Sequence, residues 1–141
     1  LEQAVAVAEA IPDYQALVAA LCALGFGQRL LGRSDAAHAS ASRALALAEV
    51  RTELAPARAE ALRVLAEVAL NRGEWELARG TLQTAIPLLE ELNDRWPLAF
   101  AYFMATSVCY AMGQHAEARG FAGRLQTLVR AGDLAPDSPW M

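Results

Sequence analysis

The chain has no lysine: all twelve of its basic residues are arginine. Together with an excess of alanine, this choice is the codon signature of a GC-rich bacterial genome, so a bacterial source is expected. The arginines do not make the chain basic, because the net charge is -4 and the pI lies near 5.1. A surface that neutralises phosphates must be basic, so direct nucleic-acid binding by this segment is not expected. Cysteine is limited to Cys22 and Cys109, far apart and without CxxC or other ligand spacing, which excludes a zinc pattern. Cys109 falls on a packing side, where a small buried residue fits. Nothing near Cys22 in sequence would depress its pKa. His38 and His115 are the only histidines; they lie at or just after turns, and His115 reads as a turn-packing residue. Gly25 and Gly27 sit inside a helical pattern with no preceding strand, unlike a phosphate-binding loop. Glu90 and Glu91 are adjacent on a helix and cannot face one another, so they read as solvated surface. No uninterrupted run of about 18 apolar residues exists, so no membrane span is expected. These absences leave no catalytic residues, no metal site and no cofactor in the expectation.

What the chain does contain is a repeat. Gly32, Gly73 and Gly113 recur 41 and then 40 residues apart, each followed five residues on by Ala37, Ala78 or Ala118. Before each glycine lie Leu21, Leu24 and Gly25, then Leu62, Leu65 and Ala66, then Tyr102, Ala105 and Thr106. These offsets share one side of a helix and place a small residue where a neighbour's backbone can approach. After each glycine come Ala37, Ala41 and Ala44, then Ala78, Leu82 and Ala85, then Ala118, Ala122 and Leu125, the inward stripe of a second helix. Each unit is thus a helix, a glycine turn and an antiparallel helix. Hydrophobic residues make up 55% of the chain, largely the helix formers alanine and leucine, which fits a packed all-α domain.

The spacing predicts a single domain over 1–141. Residues 1–10 read as the second helix of a truncated repeat, with Leu1 and Ala4 in the places of Leu82 and Ala85. Three units follow over 14–53, 56–92 and 95–131, with helices near 14–31, 34–53, 56–72, 75–92, 95–112 and 115–131. Residues 132–141 are a tail or the start of a further unit, with Pro136 and Pro139 one period after Pro97. Pro56 and Pro97 suit helix starts, Asp94 is an expected N-cap, and Gly132 can close the last helix. Pro87 falls inside a second helix, so a kink or broken hydrogen-bond ladder is expected there. Leu1 opens in an amphipathic stretch without an initiator methionine or signal-peptide layout, which reads as a piece of a larger cytoplasmic protein.

On these residues the chain resembles the tetratricopeptide repeat (TPR) family. The second unit carries the resemblance best, through Leu62, Leu65, Ala66, Ala69, Gly73, Trp75, Ala78, Leu82 and Ala85. A period near 40 departs from the family's usual 34, and the third unit is looser, with Thr106 at the small position and Cys109 where an aromatic is usual. In that period, and in segments such as Ala111 to Ala118, the chain is similar to the extended repeats of bacterial MalT-like and LuxR-like transcriptional regulators. The resemblance implies an antiparallel helix-pair solenoid of about seven helices, wound as a right-handed superhelix whose first helices line a concave groove. It implies a noncatalytic interaction or regulatory module that binds a protein segment, a peptide or another domain of its own chain. The alternative is a receptor whose groove takes a short peptide or small effector and changes the curvature.

The groove-facing residues expected on this reading are Cys22, Phe26, Arg29 and Leu30, then Glu60, Arg63, Glu67 and Asn71, then Phe100, Phe103, Ser107 and Tyr110. They give an apolar aromatic end and a charged middle, and aromatics with arginine are frequent anchors of binding. Phe100, Phe103 and Tyr110 can equally pack on an adjacent repeat. The lysines and asparagines of the family's carboxylate-binding members are replaced here by Cys22, Phe26, Val64, Phe100 and Met104, so that chemistry is not expected. Trp75 is expected in the core, Trp96 over a seam between repeats, and Trp140 without neighbours. Exposed apolar ends invite self-association.

Overall fold

A computed structural model describes residues 1–5 and 13–131 of the chain. Within them six long helices succeed one another: α1 Tyr14–Leu30, α2 Ser34–Glu49, α3 Ala55–Asn71, α4 Trp75–Leu92, α5 Arg95–Ala111 and α6 His115–Arg130. Residues 2–5 are helical as well, and there is no strand among the described residues. The fold is all-α, with helices packed in adjacent pairs. No described helix is long and apolar enough to cross a membrane.

The glycines turn the chain as their spacing requires. Gly32, Gly73 and Gly113 have φ of +75°, +72° and +76°, a region that costs a side-chain-bearing residue about 1–2 kcal/mol. Each is followed by a six-to-one hydrogen bond that closes the preceding helix: Arg33 N–H to Gln28 O, Glu74 N–H to Ala69 O, and Gln114 N–H to Cys109 O. The chain then re-enters a helix at once. Between α4 and α5 the left-handed residue is Asn93, with φ of +53°, and Asp94 N–H closes onto Leu89 O. Asn93 thus serves as a fourth turn signal, one that the glycine spacing does not reveal.

Helix bounds fall within a residue of expectation except in α2. It stops at Glu49 rather than near 53, and a 3-10 turn over Thr52–Leu54 follows. The reason is packing: Leu54 turns inward and is buried with Leu17, Leu21 and Ala61, while Val50 is left in solvent. Pro56 stands in the first turn of α3, where its missing N–H costs nothing. Asp13 caps α1 by accepting from Ala16 N–H at 3.1 Å. Asp94 holds the N-cap position of α5, but its side chain makes no capping bond. Helix α4 runs unbroken through Pro87, so the effect of the proline is confined to the bond that Gln83 O cannot accept from it.

The core follows the predicted stripes. Ala37, Ala41, Ala44, Ala78, Leu82 and Ala85 are buried, as are Leu21, Gly25, Leu62, Ala66, Tyr102 and Ala105. At Gly25 an added Cβ would stand 3.4 Å from Ala37 O and 3.5 Å from Val64 Cγ1, so the position is small because another helix's backbone passes there. Two expectations need correction. In residues 1–5, Leu1 and Ala4 are exposed and Val5 is the buried one, packed with Leu17 and Val18. In α6, Ala118 is buried and Leu125 packs onto the core as expected, but Ala122 is exposed, and Phe121 and Leu128 pack inward instead. The aromatic ring sets the inward line of that helix, because burying it removes more apolar surface from water than burying an alanine. The expectations for Gly132, Pro136, Pro139 and Trp140 lie outside the described residues.

Candidate functional site

Short turns make each helix antiparallel to the one before, so α1, α3 and α5 run parallel. Of these, α3 touches both α1 and α5 directly, whereas α2, α4 and α6 form no comparable row. The row in closer contact lies on the shorter arc of a stack, so the first helices form its inner face.

Arg63 occupies the centre of that face. Its Nε donates to Glu60 Oε2 at 3.1 Å and its Nη2 to Glu60 Oε1 at 2.5 Å, while Nη1 donates to Glu67 Oε1. From α1, Arg29 brings its Nε to 2.5 Å from Glu67 Oε2, an ion pair without the alignment of a hydrogen bond. Two rings flank the cluster, Phe26 from α1 and Phe100 from α5, each centred 5.7 Å from the Arg63 guanidinium carbon. Phe26 also lies 5.2 Å from that of Arg29. A cation set between aromatic faces gains from both ring quadrupoles. The planar guanidinium suits this place, because it can stack and bond in its plane at the same time.

Glu67 is only 4% exposed. Burial raises its pKa above the ordinary value; Arg63 and Arg29 pull it back, and the charge of Glu60 adds to the rise. Burial acts to lower the pKa of Arg63, but the hydrogen bond and charge of Glu60, with the charge of Glu67, leave it raised. The two arginines and two glutamates cancel in charge.

The remaining expected residues divide by position. Phe103 and Tyr110 on α5 are 57% and 68% exposed, and Leu30 on α1 is 62% exposed. Phe103 lies 6.3 Å from Phe100, ring centre to ring centre, and Tyr110 meets His115 edge-on at 5.1 Å. His115 thus packs at the turn. Ser107 turns its hydroxyl onto Phe103 O of its own helix at 3.1 Å. Asn71 is exposed at the end of α3.

Three positions differ from expectation. Cys22 is not a groove residue: it is buried, and its thiol points to Ala57 O at 3.8 Å. Burial, then the charge of Glu60, pushes its pKa up to about 12. Glu67 lies beneath the surface of the groove rather than on it, because arginines from two helices close over it. Trp75, expected in the core, is 38% exposed, lying near Gly73 at the turn. Trp96 is half-buried at the start of α5. Val64 and Met104, like Cys22, are buried, so these replacements cannot reach a ligand.

Glu60, Arg63 and Glu67 are expected only as groove-facing residues; their i-3 and i+4 spacing on one helix is the signal that could have shown the contacts. Residue spacing gave no sign of Arg29 joining them. Nor did it reveal that Glu90, read as solvated surface, accepts from the Tyr102 hydroxyl at 2.8 Å.

No protein-family model and no curated protein matches the chain.

A second feature lies away from this face, where α4, α5 and α6 meet. A cavity of about 40 Å³ is lined by Leu82, Ile86, Ala105, Val108, Cys109 and Phe121, with the Arg79–Glu117 ion pair beside them at 3.1 Å. Ala105 stands one period after Leu65, which packs against Ala37, Ala41, Val64 and Val68. The smaller side chain accounts for the space. Among the described residues no group of three histidines, cysteines or acids is placed to hold a metal ion.

Proposed function

We propose that the chain is a noncatalytic protein-interaction module of the tetratricopeptide type, and that its inner groove engages a protein segment. On this reading it is a cytoplasmic regulatory part of a larger bacterial signalling or transcriptional protein, and any nucleic-acid contact is made by another domain. The observation that carries the reading is the set of open apolar side chains, Leu30, Phe103 and Tyr110, around a charge cluster that is already neutralised from within. Apolar groups exposed together in this way mark an interaction surface. The arginines serve a different role from the one their residue type implies. They hold the floor of the groove and the aromatic rings over it, and the rings make the contact.

A random peptide library displayed on phage and selected against the chain tests this reading. Selected peptides are expected to lose about tenfold in affinity, or 1.4 kcal/mol, for Phe103→Ser, whose side chain is exposed enough that folding is spared. Peptides that bind the variant unchanged would move the site elsewhere on the surface.

A further inference from the structure

The hydrogen-bonding inventory of the groove identifies the form of its occupant, given that the groove is the binding site. An extended peptide presents unpaired N–H and C=O groups along its whole length, and each needs a partner when buried. The floor has few to offer. Both oxygens of Glu60 are taken by Arg63, those of Glu67 face Arg63 and Arg29, and Ser107 is bonded to its own helix. A helix satisfies its backbone internally and brings only side chains to the surface it meets.

Three donor groups of the inner face that make no side-chain hydrogen bond among the described residues lie at one end of it. They are the Nη groups of Arg29, the amide of Asn71 and the hydroxyl of Tyr110, on the last or next-to-last residue of α1, α3 and α5. Because the three helices are parallel, these donors share one edge of the groove. The carbonyls of those helices are already closed by the glycine turns, through Gln28, Ala69 and Cys109. A row of hydrogen-bond donors complements the end of a helix where carbonyls are orphaned. On either side of α3 the surface is apolar, with Phe26 and Leu30 on α1 and Phe100 and Phe103 on α5.

We propose that the groove receives a single amphipathic helix of a partner protein, lying along α3 between those two flanks, with its C-terminal end at the edge formed by Arg29, Asn71 and Tyr110. Charge does not steer this partner, since the floor is neutral. Its binding is expected to vary little with salt.

Two synthetic peptides as long as α3 distinguish this inference from the groove reading beneath it. One is a side-chain-stapled, alanine-based helix with leucines along one face; the other has the same leucines separated by prolines, so that it stays extended. Fluorescence anisotropy is expected to show the stapled peptide binding at least about tenfold more tightly, with that advantage lost on Phe103→Ser. Equal or tighter binding of the extended peptide, still sensitive to Phe103→Ser, would overturn the helical occupant and leave the groove standing. Failure of both peptides to bind, or binding indifferent to Phe103→Ser, would overturn both. A nitroxide on the C-terminal residue of the stapled peptide should broaden the amide signals of Leu30, Asn71 and Ala111. Broadening at Tyr14, Ala55 and Arg95 instead would reverse the orientation.

Discussion

Two arginine–glutamate contacts in this chain use the same chemistry in opposite settings. On the inner face, Arg63 and Glu67 have side chains only 12% and 5% exposed; on the outer seam, Arg79 and Glu117 are 31% and 49% exposed. The inner pair is one turn apart on a single helix, while the outer pair joins α4 to α6. The contact that is local in sequence is therefore the buried one. Sequence separation does not govern the energetics here; water does. A solvated pair trades attraction against screening and side-chain entropy and contributes little. A buried pair is costly to form and costlier to break, since the abandoned charge stays out of water.

The largest expected effect comes from breaking the inner set. Glu67→Ala removes the carboxylate that faces Arg29 and Arg63 and is expected to cost about 3–5 kcal/mol in urea denaturation. Glu67→Gln keeps the shape and an acceptor and should cost far less. The pair of variants also carries a pH signature. The folded protein holds the Glu67 proton more tightly than the unfolded chain, so the contribution of this group is fully present below the ordinary value of 4.5. It is lost as the pH rises through that value toward the folded one. The stability of the wild type relative to Glu67→Gln should therefore fall with rising pH across that window. A flat difference would show that Glu67 is better solvated than its burial indicates.

Next in size is the bond between Tyr102 and Glu90, which lies between the two extremes. Tyr102→Phe is expected to cost about 1 kcal/mol. Burial, then Glu90, raises the tyrosine pKa from 10.0 to about 12. The unfolded chain gives up this proton first, so the contribution is present below pH 10 and is lost as the pH climbs toward 12. The phenylalanine variant should lack that alkaline loss. At the outer seam, Glu117→Gln should change stability by no more than about 1 kcal/mol, and by less as salt is added. An effect as large as that of Glu67→Ala would erase the distinction between the two settings.

The smallest change in stability accompanies a labelling test. Cys22 lies beneath the inner face and Cys109 lines the outer cavity, yet both are buried and burial raises both pKa values. A thiol-specific reagent at pH 8 should leave both unmodified until denaturant is added. Rapid labelling of Cys109 alone would show that the seam opens more readily than the groove.

Much of the fold is legible in the residues. Gly32, Gly73 and Gly113 announce their turns because only a residue without a Cβ takes positive φ there at little cost, and alanine stripes announce which sides pack. The turn at Asn93 is less visible, since asparagine is also common elsewhere. The end of α2 is harder still, because Leu54 has to find its place in the core before the chain can turn. Of the groove residues, Phe26, Phe103 and Tyr110 stand where the helical offsets put them. Cys22 and Glu67 do not, although they share the same offsets, because the approach of Arg29 and Ala57 from other helices decides what they meet.

The sequence by itself determined the period, the paired helices and the inward stripes, since backbone preference and hydrophobic spacing act over a few residues. Only the tertiary structure decided which charges lost their water, which rings stayed open and which donors came to share one edge. Those outcomes depend on the spacing between parallel helices some 40 residues apart in the chain, and no local pattern encodes that spacing.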